Sequence, residues 1–146
     1  MQNEDLLKQF TNSHLSGDWE TYDALSTPDF TLKGPAPDPL NKEAFLTWLK
    51  SVFAANDDIN NNVTVLESSG DIVKCTVQME GNHTRAWDLS FLGLGVIPAT
   101  NKAWKNPKEE MAVTIRDGKI AEIEVFVPEG GGIPGILAQL GVGTPG

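Results

Sequence analysis

The sequence predicts an α+β domain in which three helices pack on one face of a curved, mostly antiparallel sheet. Three observations carry this. Apolar residues recur at helical spacing in three capped segments, the last reaching Phe53. Beyond them the period changes to two, as in "NVTVLESS" and "IVKCTVQMEGNH". The pair Asp117-Gly118 then stands between two β-rich runs, the pattern of a tight hairpin. With 146 residues, no internal repeat and no linker, residues 1–146 read as one domain.

Each element has a local reason. Leu6, Leu7, Phe10 and His14 fall on one helical face, and Gly17 ends that helix. Asp18 is placed to cap a second helix carrying Trp19, Tyr22 and Leu25, which Pro28 stops. "DFTLKG" reads as a short strand, and the prolines from Gly34 to Pro39 as a loop. Asn41 is placed to cap a third helix with Phe45, Trp48, Leu49, Val52 and Phe53 on a broad apolar stripe. In "IVKCTVQMEGNH", Val73, Cys75, Val77 and Met79 share one strand face. "EMAVTIRDGKIAEIEVFV" is a hairpin, and "GGGIPGILAQLG" a flexible hinge followed by a short helix.

Composition narrows the function. The net charge of −9 opposes binding to nucleic acid or an anionic membrane. No stretch approaches the roughly 20 apolar residues of a membrane span. The N-terminus lacks the basic and apolar regions of a signal peptide, and Cys75 has no partner for a disulfide; a cytoplasmic location is expected. His14 and His83 are the only histidines, and no H-x-x-x-H or cysteine pair accompanies them, so no metal site is expected. No G-x-S-x-G nucleophile elbow is present. Gly130-Gly131-Gly132 lacks the Lys-Ser/Thr of a phosphate loop.

His83 shares strand parity with the apolar face, where an imidazole can move a proton or be satisfied by a backbone carbonyl at a strand end. In "KIAEIEVFV", alternation buries Ala121, Ile123, Val125 and Val127 and sends Glu122 and Glu124 to solvent. A sheet covered on both sides would enclose either face, and a carboxylate entering an apolar cavity acquires a raised pKa. Tyr22, Trp48, Trp87, Trp104 and Met111 are core or pocket lining, the aromatic ones bringing a polar handle.

The stretch "GNHTRAWDLSFLGLGVIPATNKAW" resembles the G-T-H-t-G … g-i-P-P-T-G-k segment of SnoaL-like polyketide cyclases, the ester cyclase group of the NTF2-like superfamily. "LSTPDFTL", "LESSGDIVKCTVQMEGNH", "IRDGKIAEIEVF" and "GILAQLGV" resemble further family segments in the same order. The resemblance implies a cone-shaped α+β barrel with an internal hydrophobic pocket, usually in a homodimer. It also implies cofactor-free aldol-type ring closure, or isomerisation, of a hydrophobic ketone- or ester-bearing molecule. In that chemistry a pocket acid removes a proton alpha to a carbonyl and hydrogen-bond donors hold the enolate. The family's histidine is matched by His83. Its last strand carries Trp and, four positions on, Asp; here Glu124 and Pro128 stand there. Arg85 and Ala99-Thr100-Asn101 replace further motif positions.

The expectations are therefore His83 and Glu124 as the catalytic pair, with Tyr22, Trp48, Trp104, Met111 and Phe126 around a hydrophobic small molecule. A non-catalytic binding module using the same pocket is the alternative, and a dimerisation domain with a filled cavity is the third reading. Two structural expectations accompany them. The apolar loop from Trp87 to Pro98 forms a flap over the pocket mouth, hinged at Gly93 and Gly95. The row Ile123, Val125 and Val127 is the sheet's second apolar face and forms the homodimer contact.

Overall fold

The computed structural model describes residues 3–34 and 38–142. The order is α1 (Asn3–Ser16), α2 (Trp19–Leu25), β1 (Ser26–Lys33), β2 (Leu40–Asn41), α3 (Lys42–Ala55), β3 (Asn56–Asn60) and β4 (Thr64–Ser69). It continues with β5 (Ile72–Val77), β6 (Glu80–His83), β7 (Trp87–Asp88), β8 (Val96–Ile97), β9 (Lys102–Lys105), β10 (Glu109–Arg116), β11 (Lys119–Phe126) and α4 (Gly132–Gln139). The expected proline loop falls partly on residues 35–37, outside the described ones.

Both predicted caps form. The Asp18 carboxylate accepts from the Thr21 N–H at 3.1 Å, and the Asn41 side chain accepts from the Ala44 N–H at 2.8 Å. The second helix ends at Leu25, ahead of Pro28, because residues preceding proline avoid the α region. Pro28 then lies inside β1, where the register with β11 is interrupted between Ser26 and Thr31 and no ladder N–H is needed. The β10–β11 hairpin turns on Asp117 and Gly118, with φ of 54° and 73°, as a two-residue I′-type turn requires.

The main sheet has the order β2-β1-β11-β10-β5-β4, antiparallel except for the β1–β11 pair. A second sheet is β3-β6-β9, and β7 pairs with β8 alone. The expected cone-shaped barrel is thus not closed among the described residues. Its cause lies in "IVKCTVQMEGNH", predicted as one strand. The ladder stops at Val77, the Gln78 N–H bonds to the Asn61 carbonyl, and the Met79 carbonyl accepts from Asn106. The chain resumes as β6 in the other sheet. α1 and α3 cover the inner face of the main sheet, and α4 closes one end with Ile133, Ile136, Leu137 and Leu140 buried. No helix among the described residues is long and apolar enough to cross a membrane.

The Trp87 to Pro98 segment differs from a flap. Trp87, Leu89 and Ile97 are buried, and the Trp87 ring stacks on Trp48 with centroids 5.7 Å apart. Only the tip, including Phe91 and Val96, is exposed. Three buried anchors make the base of the segment part of the core.

Candidate functional site

Between α1, α3, α4 and the inner face of the main sheet lies a cavity of about 100 Å³. Phe10, Phe45, Trp48, Met111, Ile123 and Ile136 give it apolar walls. Five polar side chains join them: Thr11, His14, Asn61, Asn106 and Glu109. Thr11, Asn61 and Val63 also line an open groove between α1 and the β3–β4 connection.

Glu109 opens β10, whose alternation turns Glu109, Met111, Val113 and Ile115 inward. It is only 6% exposed. Its Oε2 accepts the Gly132 N–H at 3.0 Å; Oε1 has no hydrogen-bond partner among the described residues. Burial pushes the carboxyl pKa up, and the Gly132 N–H partly opposes this by favouring the ionised form. The triple glycine explains the contact. A Cβ at Gly131 would sit 2.8 Å from Glu109 Oε2, and Gly132 has a φ of +65°. Glycine at both positions eases the backbone's approach to the carboxylate, where a flexible hinge was expected.

Asn106 secures that arrangement. Its Nδ2 donates to the Gly132 carbonyl at 3.0 Å, and its Oδ1 accepts from Gln139 Nε2 at 2.9 Å, so one side chain ties both ends of α4. On the opposite wall, His14 of α1 is 4% exposed among the rings of Phe10, Tyr22 and Phe45. Burial pushes its pKa down to about 3, which leaves the imidazole neutral near pH 7.

The expected site residues divide. Trp48 and Met111 line the cavity. Tyr22 is buried beside it, with its hydroxyl donating to the Lys42 carbonyl at 2.9 Å. Trp104 is buried in the second sheet and donates to Asn56 Oδ1 at 2.9 Å. Phe126 is 53% exposed, on the outer face of β11. Glu124 lies on that same outer face and is exposed. The alternation of β11 decides this, since Ile123 and Val125 take the inner face; the assignment drawn from the family's last strand does not hold in place.

His83 is fully buried but lies outside the cavity lining. Its Nδ1 is 2.8 Å from Thr100 Oγ1 and accepts the Thr100 N–H at 3.3 Å. Its ring lies 5.7 Å from that of Trp87. Burial pushes its pKa down, opposed by the Arg85 backbone. The break between β5 and β6 moves His83 into the second sheet, where it fastens the returning end of the Trp87 to Pro98 segment. His83 and Glu124 therefore do not meet; Glu109 and His14 share the cavity instead. Glu109 was legible in "EEMAVTIR", where it has the parity of three apolar residues. His14 was legible as a polar member of the α1 apolar face.

Residues 7–123 match the family described as the SnoaL-like domain. The chain belongs to that family. Solved structures agree with the fold of this SnoaL-like domain. IdmH, a candidate polyketide cyclase from Streptomyces antibioticus, is 26% identical with a TM-score of 0.70, over 97% of this chain and 100% of that one. A protein of ketosteroid isomerase-like fold from Catenulispora acidiphila, in complex with trimethylamine, is 13% identical with a TM-score of 0.68, over 97% and 95%. An NTF2-like protein from Burkholderia xenovorans is 18% identical with a TM-score of 0.62, over 85% and 87%. Among curated proteins none matches. The SnoaL-like domain thus has the NTF2-like α+β fold, with three N-terminal helices, a fourth at the C-terminal end and a mostly antiparallel main sheet.

Proposed function

We propose that this SnoaL-like domain is a cofactor-independent cyclase or isomerase acting on a hydrophobic ketone- or ester-bearing small molecule of polyketide type. The observation that carries the reading is Glu109: a buried carboxylate with one free oxygen in a cavity whose walls are mainly apolar. Its raised pKa brings its titration closer to neutral pH, where a general base works best. Glu109 takes a proton alpha to the substrate carbonyl. The enolate carbon then attacks a second carbonyl to close a ring, or is reprotonated elsewhere in isomerisation. A volume of about 100 Å³ holds only the reacting end, since benzene occupies cavities of ~150 Å³. The remainder of a larger substrate leaves past Thr11 and Asn61 into the groove. The reading includes a cytoplasmic enzyme with its lone thiol reduced, assembled as a homodimer through the outer sheet face.

The test is turnover of a panel of aromatic polyketide esters and ketones by wild type and Glu109→Gln. The variant should lose about 10²-fold or more in kcat, with binding changed only a few-fold. Equal turnover would remove Glu109 from the chemistry. The second reading, a non-catalytic binding protein, is favoured by one feature: Pro128 stands where the family pattern places its acid. Binding without turnover across the panel, unaltered by Glu109→Gln, would select it.

A further inference from the structure

The groove beside α1 has a volume of about 700 Å³. One wall is Glu4, Lys8, Thr11, Asn12 and Leu15, which the helical repeat sets in one stripe along α1. The other is the Asn60 to Val65 segment, leading into β4, the edge strand of the main sheet. Three consecutive asparagines there keep unused hydrogen-bonding capacity. Asn60 Oδ1 accepts the Asn62 N–H at 3.0 Å, and Asn62 Nδ2 donates to the Gln78 carbonyl at 2.9 Å, which leaves Asn60 Nδ2 and Asn62 Oδ1 free among the described residues. Asn61 differs from both. It is 9% exposed and its carboxamide makes no hydrogen bond among the described residues, yet that carboxamide is not one of the polar groups sealed from solvent. A carboxamide buried to this extent is ordinarily paired. The backbone fixes its place: the Asn61 carbonyl accepts the Gln78 N–H at 2.7 Å, and Asn62 adopts a left-handed φ of 47°. Asn61 borders both the groove and the mainly apolar cavity.

We infer that this groove is a second binding site, which takes an uncharged hydroxyl-rich group, a sugar or polyol, with the Asn61 carboxamide hydrogen-bonded to it. A carboxamide offers donors and an acceptor side by side, and a hydroxyl both donates and accepts, so the two pair without any change of charge. Asn12, exposed on α1 and bonded only through its backbone carbonyl, offers the same groups from the facing wall. Leu15, Val63 and Val65 give apolar contact to the carbon skeleton of such a ligand. Charge excludes other occupants. Glu4 and Lys8 are the groove's only charged side chains and offset each other one turn apart, while the net −9 of the chain repels anions. A wholly apolar ligand would leave Asn61 unpaired. The volume suits a small molecule, since such sites span about 300–1,000 Å³. The backbone bonds that hold residues 60–62 reduce the ordering that binding requires. The inference concerns binding alone and does not depend on Glu109 being the base.

The test titrates the 15N-labelled protein near pH 7 with methyl α-D-glucopyranoside, maltose and myo-inositol, and with glucuronate as the anionic counterpart. The side-chain amide signals of Asn12 and Asn61 are assigned by their loss in Asn12→Ala and Asn61→Ala. Expected is a saturable shift of both signals with at least one neutral probe, and weaker binding of glucuronate. Asn61→Ala and Asn12→Ala should each bind that probe about fivefold more weakly, the loss of one hydrogen bond. Should Asn61→Ala fail to fold, the wild-type shifts and Asn12→Ala decide, because position 12 is exposed. No saturable response to any of the three neutral probes, undiminished affinity in Asn12→Ala, or glucuronate bound as tightly as the neutral probes would overturn the inference. Glu109 does not line the groove, so Glu109→Gln should bind the probe as wild type does; a loss there would place the probe in the cavity and overturn the groove. The two readings separate. Probe binding intact in a Glu109→Gln variant that turns over ketones as wild type does keeps the groove and removes the base. Turnover lost in Glu109→Gln, with no response to any neutral probe, keeps the base and removes the groove.

Discussion

Glu109 and His14 place their ionisation on the folding free energy in opposite senses. The Glu109 pKa is raised, so the folded state favours the protonated form. Its stabilising contribution is complete below the unfolded carboxyl pKa and lost as pH rises through the folded value. Glu109→Gln should therefore raise Tm near pH 8. The gain should vanish toward pH 4, as calorimetry at the two pH values would show; a pH-independent gain would mean the carboxylate is fully ionised at no cost. The His14 pKa is lowered to about 3, so its contribution is complete above the unfolded value of 6.5 and lost as pH falls toward about 3. Between about pH 7.5 and 5, wild type should lose about 2 kcal/mol more than His14→Leu in urea unfolding. His83 shifts in the same direction and is present in both proteins, so the difference isolates His14. Equal pH slopes would show that the folded protein protonates His14 freely. The same residues measure how much of the site was legible. Strand parity alone placed Glu124 outside and, applied to "EEMAVTIR", places Glu109 inside; the family pattern drew attention to the wrong strand.

Elements show where local pattern suffices and where it ends. The first three helices follow from their apolar stripes and the Asp18 and Asn41 caps, because capping and amphipathicity are local. The β5–β6 break was not legible, since it depends on backbone bonds to the Asn61 carbonyl and from the Asn106 N–H, distant in sequence. The Trp87 segment was misjudged for a related reason. Its Trp87 does avoid solvent, but by packing on α3 and the second sheet rather than over a mouth. Trp87→Ala should cost about 3–5 kcal/mol by chemical denaturation, whereas Phe91→Ser at the exposed tip should change stability by under about 0.5 kcal/mol. Comparable losses at both would make the whole segment core. For α4, Asn106→Ala leaves the Gly132 carbonyl and the Gln139 amide without their partner. About 2 kcal/mol should be lost, and the backbone amides of α4 should exchange with solvent faster than those of β10. Uniformly faster exchange would argue instead that Asn106 acts on the global fold.

At the scale of the whole molecule, the expected dimer must be argued from different residues than Ile123 and Val125, which face the core. The outward row of the main sheet offers Phe126, Ala112 and Thr114 on β10 and β11, with Thr76 and Lys74 beside them on β5. Half-buried Ala112 and Thr114 form a shallow centre that a second copy can approach closely, and exposed Phe126 supplies an apolar contact. Around them stand Glu110, Glu122 and Glu124, with Glu122 held by Lys33 at 2.9 Å. A two-fold pairing of this face brings like charges together, and each copy carries a net −9. Electrostatics therefore opposes the association while apolar burial drives it, which sets the sign of the salt response. Raising ionic strength screens the repulsion, so the dimer fraction at micromolar concentration should increase with salt rather than fall. Ala112→Glu puts a further charge at the centre and should yield monomer at all salt concentrations with the fold retained, because position 112 faces outward. Sedimentation velocity of both proteins at low and high salt gives the answer. A wild type that stays monomeric in high salt would show that this face is an ordinary solvated surface and that the cavity works within a single chain.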